Sequence, residues 1–338
     1  MNYLPISDNA ARQIIDASSI WAEYLKALTS AQPYAGGMYW KKEGGYEYLV
    51  KTLARNRQQR LGARSAQSEK IYEEFHKHKL ARGDRLDSLA AALLETQRQN
   101  RALKAGRTPE IVVALLNAVR EAGLEAHFIV VGTHALYAYE TAAGVRIVPG
   151  ALATQDVDLL WDARKRLQFV VDLARDAGSV LTVLKRVDSS FRRKTKEGQN
   201  ESAVNDKGFE VDFIRREVED GNPHPFRFSE DEEDLWPVRA QRAALLAQSP
   251  VFVHPVISAT GRMASMRTVD PQTFVAFKQW MAEQAQNREP VKRRRDLYQA
   301  KIVQELMDKG LRVSHANVGL QALPGPAASS QAVPAGLD

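Results

Sequence analysis

Within Asp156-Val157-Asp158-Leu159-Leu160-Trp161, two aspartates stand two residues apart in a run whose other members are apolar. Such a run reads as a strand, and residues i and i+2 of a strand leave the same face, so both carboxylates project together. That placement is costly. Aspartate is depleted in strands, and two like charges on one face raise each other's pKa unless a cation lies between them. Two arrangements relieve the conflict: a solvated strand end, or a divalent cation such as Mg²⁺, which favours carboxylate oxygen and is commonly shared with substrate phosphates. The tripeptide alone does not choose between them.

Its neighbourhood does. Upstream, Phe128-Ile129-Val130-Val131 is a short apolar run of buried-strand type that ends in Gly132-Thr133 and turns directly into a helical pattern over residues 134–143. At such a turn the missing Cβ and the exposed amides can cradle a phosphate. Downstream, Phe209-Glu210-Val211-Asp212-Phe213-Ile214 sets a third acid inside an apolar strand, again a costly placement unless something positive pairs with it. The three oddities point to one site.

The order of strand, Gly-Thr, helix, Asp-x-Asp strand and single-acid strand resembles the nucleotidyltransferase fold of the DNA polymerase β superfamily. In more detail, Val131-Gly132-Thr133-His134-Ala135-Leu136-Tyr137-Ala138-Tyr139-Glu140, residues 154–162, and the stretch from Arg288-Glu289-Pro290 to Arg295-Asp296 are similar to a bacterial group with this fold, a likeness that spans residues 36–310. The resemblance implies an α+β architecture, a mixed sheet with helices. It implies Asp156, Asp158 and Asp212 as the catalytic acids holding two Mg²⁺ (or Mn²⁺) ions, and Gly132 and Thr133 on the nucleotide phosphates. Thr133 stands where serine is commoner, although its hydroxyl and amide can serve equally. Similar Lys and Arg-x-Asp features flank the nucleotide site of toxin-like nucleotidyltransferases. Lys278 is thereby implied on the triphosphate and Arg288 on the departing pyrophosphate, a basic solvent-facing helix being the alternative for both. The implied activity is transfer of an NMP from an NTP to RNA, protein or a small molecule. The rival is a catalytically silent fold that binds nucleic acid or serves a toxin–antitoxin interaction; retention of all three acids argues against it.

The rest of the chain frames this core. A length of 338 residues suggests about two domains, and 44% apolar with 26% charged residues is an ordinary globular composition. There is no cysteine, which excludes disulfides, thiolate zinc sites, iron–sulfur clusters and cysteine nucleophiles, and suits the cytoplasm. No stretch of about 18 uncharged apolar residues occurs, so neither a signal peptide nor a membrane span is expected. The net charge of +6 is unevenly spread: residues 55–64, 192–196 and 292–295 are basic and 230–234 acidic, which suits a polyanionic partner or plain solvated surface.

Five regions are expected: an N-terminal helix (1–35), a small β-sheet plus helical region (36–105), the nucleotidyltransferase core (106–220), a C-terminal helical region (221–312) and a disordered tail (313–338). Ser7 and Asp8 cap a first helix, a hairpin follows Gly36-Gly37, and a short strand lies near Arg60. Two helices then run over residues 65–79 and 84–103, and Pro109 opens a third that stops at Gly123. Beyond the Asp-x-Asp strand come a helix over 163–177, a strand over Val180–Val187, a polar loop, a strand at 209–215 and another at 251–257. Pro271 opens the helix of Lys278, and a last helix covers 291–307. In the hairpin, Tyr39, Trp40, Tyr46 and Tyr48 interleave with Lys41, Lys42 and Lys51, and Arg55, Arg57 and Arg60 follow. That layout is similar to integrase arm-binding sheets, which bind nucleic acid; a small sheet packed on the catalytic domain is the preferred reading. His134 reads as a packing residue, and Trp161, Trp236 and Trp280 as core.

Overall fold

The computed structural model describes residues 2–53, 57–162, 166–196, 199–216, 228–229, 231, 233–240, 242–284 and 288–311. The tail expected to be disordered lies outside them. In chain order the first elements are β1 (Tyr3–Pro5), α1 (Asp8–Ala31), β2 (Met38–Glu43), β3 (Tyr46–Thr52), β4 (Gln58–Ala63), α2 (Ala66–Ala102) and α3 (Glu110–Glu121). Next come β5 (Phe128–Val131), α4 (Ala135–Ala143), β6 (Val145–Ile147), α5 (Pro149–Leu152), β7 (Asp156–Trp161), α6 (Arg166–Asp176) and α7 (Val180–Val187). The last are β8 (Arg192–Lys196), β9 (Gln199–Val204), β10 (Glu210–Arg216), β11 (Val238–Ala240), α8 (Ala243–Gln248), β12 (Val251–Ile257), β13 (Met263–Val269), α9 (Pro271–Glu283) and α10 (Pro290–Asp308). The chain is α+β, as its pattern implies. No helix among the described residues is long and apolar enough to cross a membrane.

Two compact units divide the chain, each assembled from separated segments. The first comprises residues 1–117, 133–154 and 254–266. Ser7 caps α1 by accepting from the Ala10 amide, and the helix turns Ile14, Ala17 and Trp21 into a cluster with Ala105, Ile257 and Met263. Buried polar atoms in that cluster are paired: Gln13 donates to Asn100 at 2.9 Å, Asn100 donates to the Gly261 carbonyl at 3.1 Å, and Trp21 donates to Ser265 at 2.9 Å. Where two helices are expected, α2 is one continuous helix that starts in a Ser65–Ser68 capping box and runs through Gly83. A helix-interior glycine costs only about 1 kcal/mol, too little to break a helix held by packing along its length. Strands β2, β3 and β4 form an antiparallel sheet whose Met38 and Leu49 pack on Phe75 of α2. Elsewhere in this unit the buried Glu140 carboxylate accepts from Arg107, Arg146 and the Ile147 amide, tying α4 to β6. His134 is buried, in keeping with a packing role.

The second unit comprises residues 118–132, 155–253 and 267–338. Its mixed sheet runs β5-β7-β10-β9-β8, with β11 alongside β10. Strand β10 is parallel to β7 and β11, whereas β5 is antiparallel to β7, and β9 is antiparallel to β10 and β8. Phe128, Trp161, Phe169, Phe213 and Phe228 meet edge-on in the core. Trp161 is buried as expected; Trp236 and Trp280 are only half-buried, and Trp280 carries the Arg242 guanidinium 5.0 Å above its ring.

Val180–Val187 is a helix, not the expected strand. The branched residues favour a strand, but the end of the segment decides: Ser179 accepts from the Thr182 amide, and the buried Asp234 carboxylate accepts from the Val180 and Leu181 amides at 3.1 and 3.0 Å. Asp234 belongs to the acidic stretch noted in the sequence, and it serves α7 as a cap. The expected polar loop before β10 contains the hairpin of β8 and β9, and β13 is a strand that the sequence pattern did not suggest.

Candidate functional site

Strands β7 and β10 run parallel with Asp156 opposite Glu210 and Asp158 opposite Asp212. Cross-strand neighbours share a face. The pairing therefore brings four carboxylates to one side of the sheet, and oxygens of Asp156, Asp158 and Asp212 all lie within 4.8 Å of one another. The row continues outward, because Ser202 of β9 is opposite Asp212 and Lys194 of β8 is opposite Ser202. Ser202 donates its hydroxyl to Asp212, and the Lys194 ammonium lies 2.6 Å from Glu210.

The electrostatics follow from crowding. Burial, reinforced by the charges of Asp156 and Asp212, pushes the Asp158 carboxyl from 3.8 up to about 7, against the pull of Lys278 and Arg288. Burial also raises Asp212, opposed by the Ser202 hydrogen bond and reinforced by Glu210 and Asp156. Carboxyls held against ionisation beside one another are a mark of functional sites. The donor set, three clustered carboxylates of which two are so raised, fits a hard divalent cation that takes oxygen ligands and offsets their repulsion.

Gly132 explains how the turn after β5 approaches these acids. Val131 pairs with Asp158, and Gly132 follows at φ +68°, a left-handed conformation that glycine adopts without strain. A Cβ there would overlap the Asp158 carboxylate. Gly132→Ala is therefore expected to cost about 1–2 kcal/mol from the backbone alone, with a further loss from displacement of Asp158. Chemical denaturation reads the first effect and Mn²⁺ titration the second; an alanine variant as stable as wild type would contradict the close approach. Thr133 follows Gly132 in the same 3-10 turn, which leads into α4, and its side chain is buried.

Lys278 and Arg288 meet on one residue. Asp296, fully buried on α10, accepts from the Lys278 ammonium at 2.8 Å through Oδ1, and from Arg288 at 2.9 Å (Nε) and 2.8 Å (Nη2) through Oδ2. Burial pushes the Lys278 ammonium down from the ordinary lysine range, countered by Asp296 and by Asp158. The alternative, a solvent-facing basic helix, holds for Lys292 and Arg294, which are exposed, but not for Lys278.

The structure thus brings Asp156, Asp158 and Asp212 together, sets Gly132 against them, and joins Lys278 to Arg288 through Asp296. Sequence reasoning missed Ser202, Lys194 and Glu210, and noted Asp296 in the Arg-x-Asp stretch without giving it a role. Glu210 could have been found, since it stands two residues before Asp212 in the same strand and so shares its face.

Residues 110–321, which hold every one of these groups, match the family model described as nucleotidyltransferase. No curated protein and no solved structure matches the chain. Since the match spans more than half of the 338 residues, the chain belongs to this nucleotidyltransferase family.

Proposed function

We propose that the protein is a metal-dependent nucleotidyltransferase of the DNA polymerase β superfamily, acting in the cytoplasm, that moves an NMP from an NTP such as ATP to a hydroxyl of RNA, protein or a small molecule. The observation that carries this reading is the convergence of three carboxylates on one sheet face, with Asp158 held near neutrality in its titration. Asp156, Asp158 and Asp212 would hold Mg²⁺ or Mn²⁺, which supplies charge neutralisation at the phosphates and alignment of the reacting oxygen with the α-phosphorus. The Gly132-Thr133 turn would position the triphosphate with backbone amides. Arg288, a planar donor fork already oriented by Asp296, suits the departing pyrophosphate, and Lys278 adds a compact charge beside Asp158. Asp212, raised by burial and hydrogen-bonded by Ser202, would take the acceptor hydroxyl's proton as the new oxygen–phosphorus bond forms and the bond to pyrophosphate breaks.

The cost of gathering three acids favours this reading over a catalytically silent fold. Incubation with each α-labelled NTP, Mg²⁺ or Mn²⁺, and total cellular RNA or lysate is expected to place label in one acceptor class. Absence of label from every fraction, with both metals and all NTPs, would favour the silent fold.

A further inference from the structure

Strands β2 and β3 alternate in register, and β4 pairs with β3 through a register shift at Leu61. One face is filled: Met38, Trp40 and Leu49 lie against Phe75 and Tyr72 of α2, so the sheet's apolar packing is satisfied there. The opposite face is composed differently. Tyr39, Lys41 and Glu43 of β2 stand opposite Val50, Tyr48 and Tyr46 of β3, and Arg60 of β4 stands opposite Val50. Tyr46 is 67% exposed and Tyr39 37%, large rings that the core does not use. Tyr46 and Tyr48 lie 6.5 Å apart, and the Arg60 guanidinium sits 3.1 Å over the Tyr48 ring. Lys41 and Arg60 reach Glu43 only at 4.0 and 3.9 Å, in the open, and Arg57 is exposed just before β4. Pairs of that kind are weak and readily exchanged for another anion.

We propose that the outer face of this sheet binds single-stranded nucleic acid, with Tyr39 and Tyr46 as stacking platforms for bases and Lys41 and Arg60 as contacts to the phosphates. Both halves of the ligand are matched. Every base has a π-face for a tyrosine ring, and two cations against one acid complement a polyanion. A duplex hides its base faces in the stack and offers the rings nothing to cover. A protein partner would be expected to find several aliphatic anchors, whereas Val50 is buried and Leu61, 39% exposed at the register shift of β4, is a single one. The inference concerns the first unit alone and does not depend on the proposed reaction.

Fluorescence anisotropy with the full-length protein tests it, using a fluorescein-labelled 12-nucleotide oligo(U) and a duplex of the same length, at 50 and 200 mM salt. Saturable binding of the single strand, weakened by salt and tighter than for the duplex, is expected. The pair Tyr39→Ala and Tyr46→Ala should weaken it about tenfold or more, whereas phenylalanine at both positions should stay within about threefold, because the ring and not the hydroxyl stacks. Lys41→Glu reads the same surface through its charge and should reduce both affinity and salt slope. No saturable binding, equal binding of the duplex, or an alanine pair that binds like wild type would overturn the proposal. So would loss of binding in Asp158→Asn with the alanine pair unaffected, which would move the ligand to the acidic cluster.

Discussion

Asp158→Asn should lower label transfer by about a hundredfold or more while leaving the metal-free protein at least as stable as wild type. The substitution keeps volume and removes one charge. If the acids hold cations, the missing charge weakens metal binding, and Mg²⁺ with nucleotide should raise the Tm of wild type more than that of the variant. A carboxylate kept for structure would behave in the opposite way, its loss costing about 1–3 kcal/mol without metal. The pH dependence sharpens the distinction. Asp158 titrates from 3.8 up to about 7 on folding, so between those values the folded chain binds the proton that the unfolded chain has released. Its contribution to stability is therefore fully present below about 4, declines as pH rises, and is gone above about 7. Asp158→Asn removes this slope, so its Tm advantage over the wild type should grow from pH 5 to pH 8. A cation competes with the same proton, so Mn²⁺ affinity should fall by up to about tenfold per pH unit below 7. A variant that melts lower without metal, beside a wild type that gains nothing from Mg²⁺ and nucleotide, would sink the proposed reaction.

Asp296→Asn is expected to be the most destabilising single change at the site, by about 3–5 kcal/mol. Two cations converge on this fully buried carboxylate, and Lys278 is itself buried. Removal of the acid leaves the ammonium with its desolvation cost and without the carboxylate that accepts its hydrogen bond. Lys278 can escape by losing its proton, which burial already favours. Between the lowered folded value and the ordinary one, the unfolded chain binds the extra proton, so the variant's deficit should shrink as pH rises. Denaturant midpoints at pH 7 and pH 9 measure both quantities. Adding Lys278→Met to Asp296→Asn should recover part of the loss; a loss under about 0.5 kcal/mol, or no recovery, would show that the three side chains are not energetically coupled.

The acids were legible because they break a rule: aspartate inside an apolar strand has no packing reason to be there, and the i, i+2 spacing fixes a common face without any tertiary information. Gly132 was legible for a related reason, since a glycine between a buried-type strand and a helix marks a turn that needs left-handed backbone. Other parts were hidden by the same logic. The hairpin of β8 and β9 is polar except for Ala203 and Val204, and an edge pair without apolar alternation reads as a loop, although it carries Lys194 and Ser202 to the acids. Asp296 lies among arginines on a helix that reads as solvated, and only its burial beneath Lys278 and Arg288 gives it a role. Val180–Val187 has both a strand's residue types and a helix's spacing, with Val180, Leu181, Val183 and Leu184 buried; the cap from Asp234, more than fifty positions away, settles it.

The discontinuity of the first unit has a temporal side. Trp21 and its partner Ser265 are separated by 244 residues, and Ile257 and Met263 complete the cluster around Ile14 and Trp21. At a synthesis rate of about 5–20 residues per second, α1 waits on the order of 10–50 s after leaving the ribosome before those residues exist. During that interval the nascent chain presents Ile14 and Trp21 without their final cover, so the early product is a natural client for chaperones. Slowed translation in the middle third of the message should lengthen that exposure and lower the yield of soluble protein even though every encoded residue is unchanged.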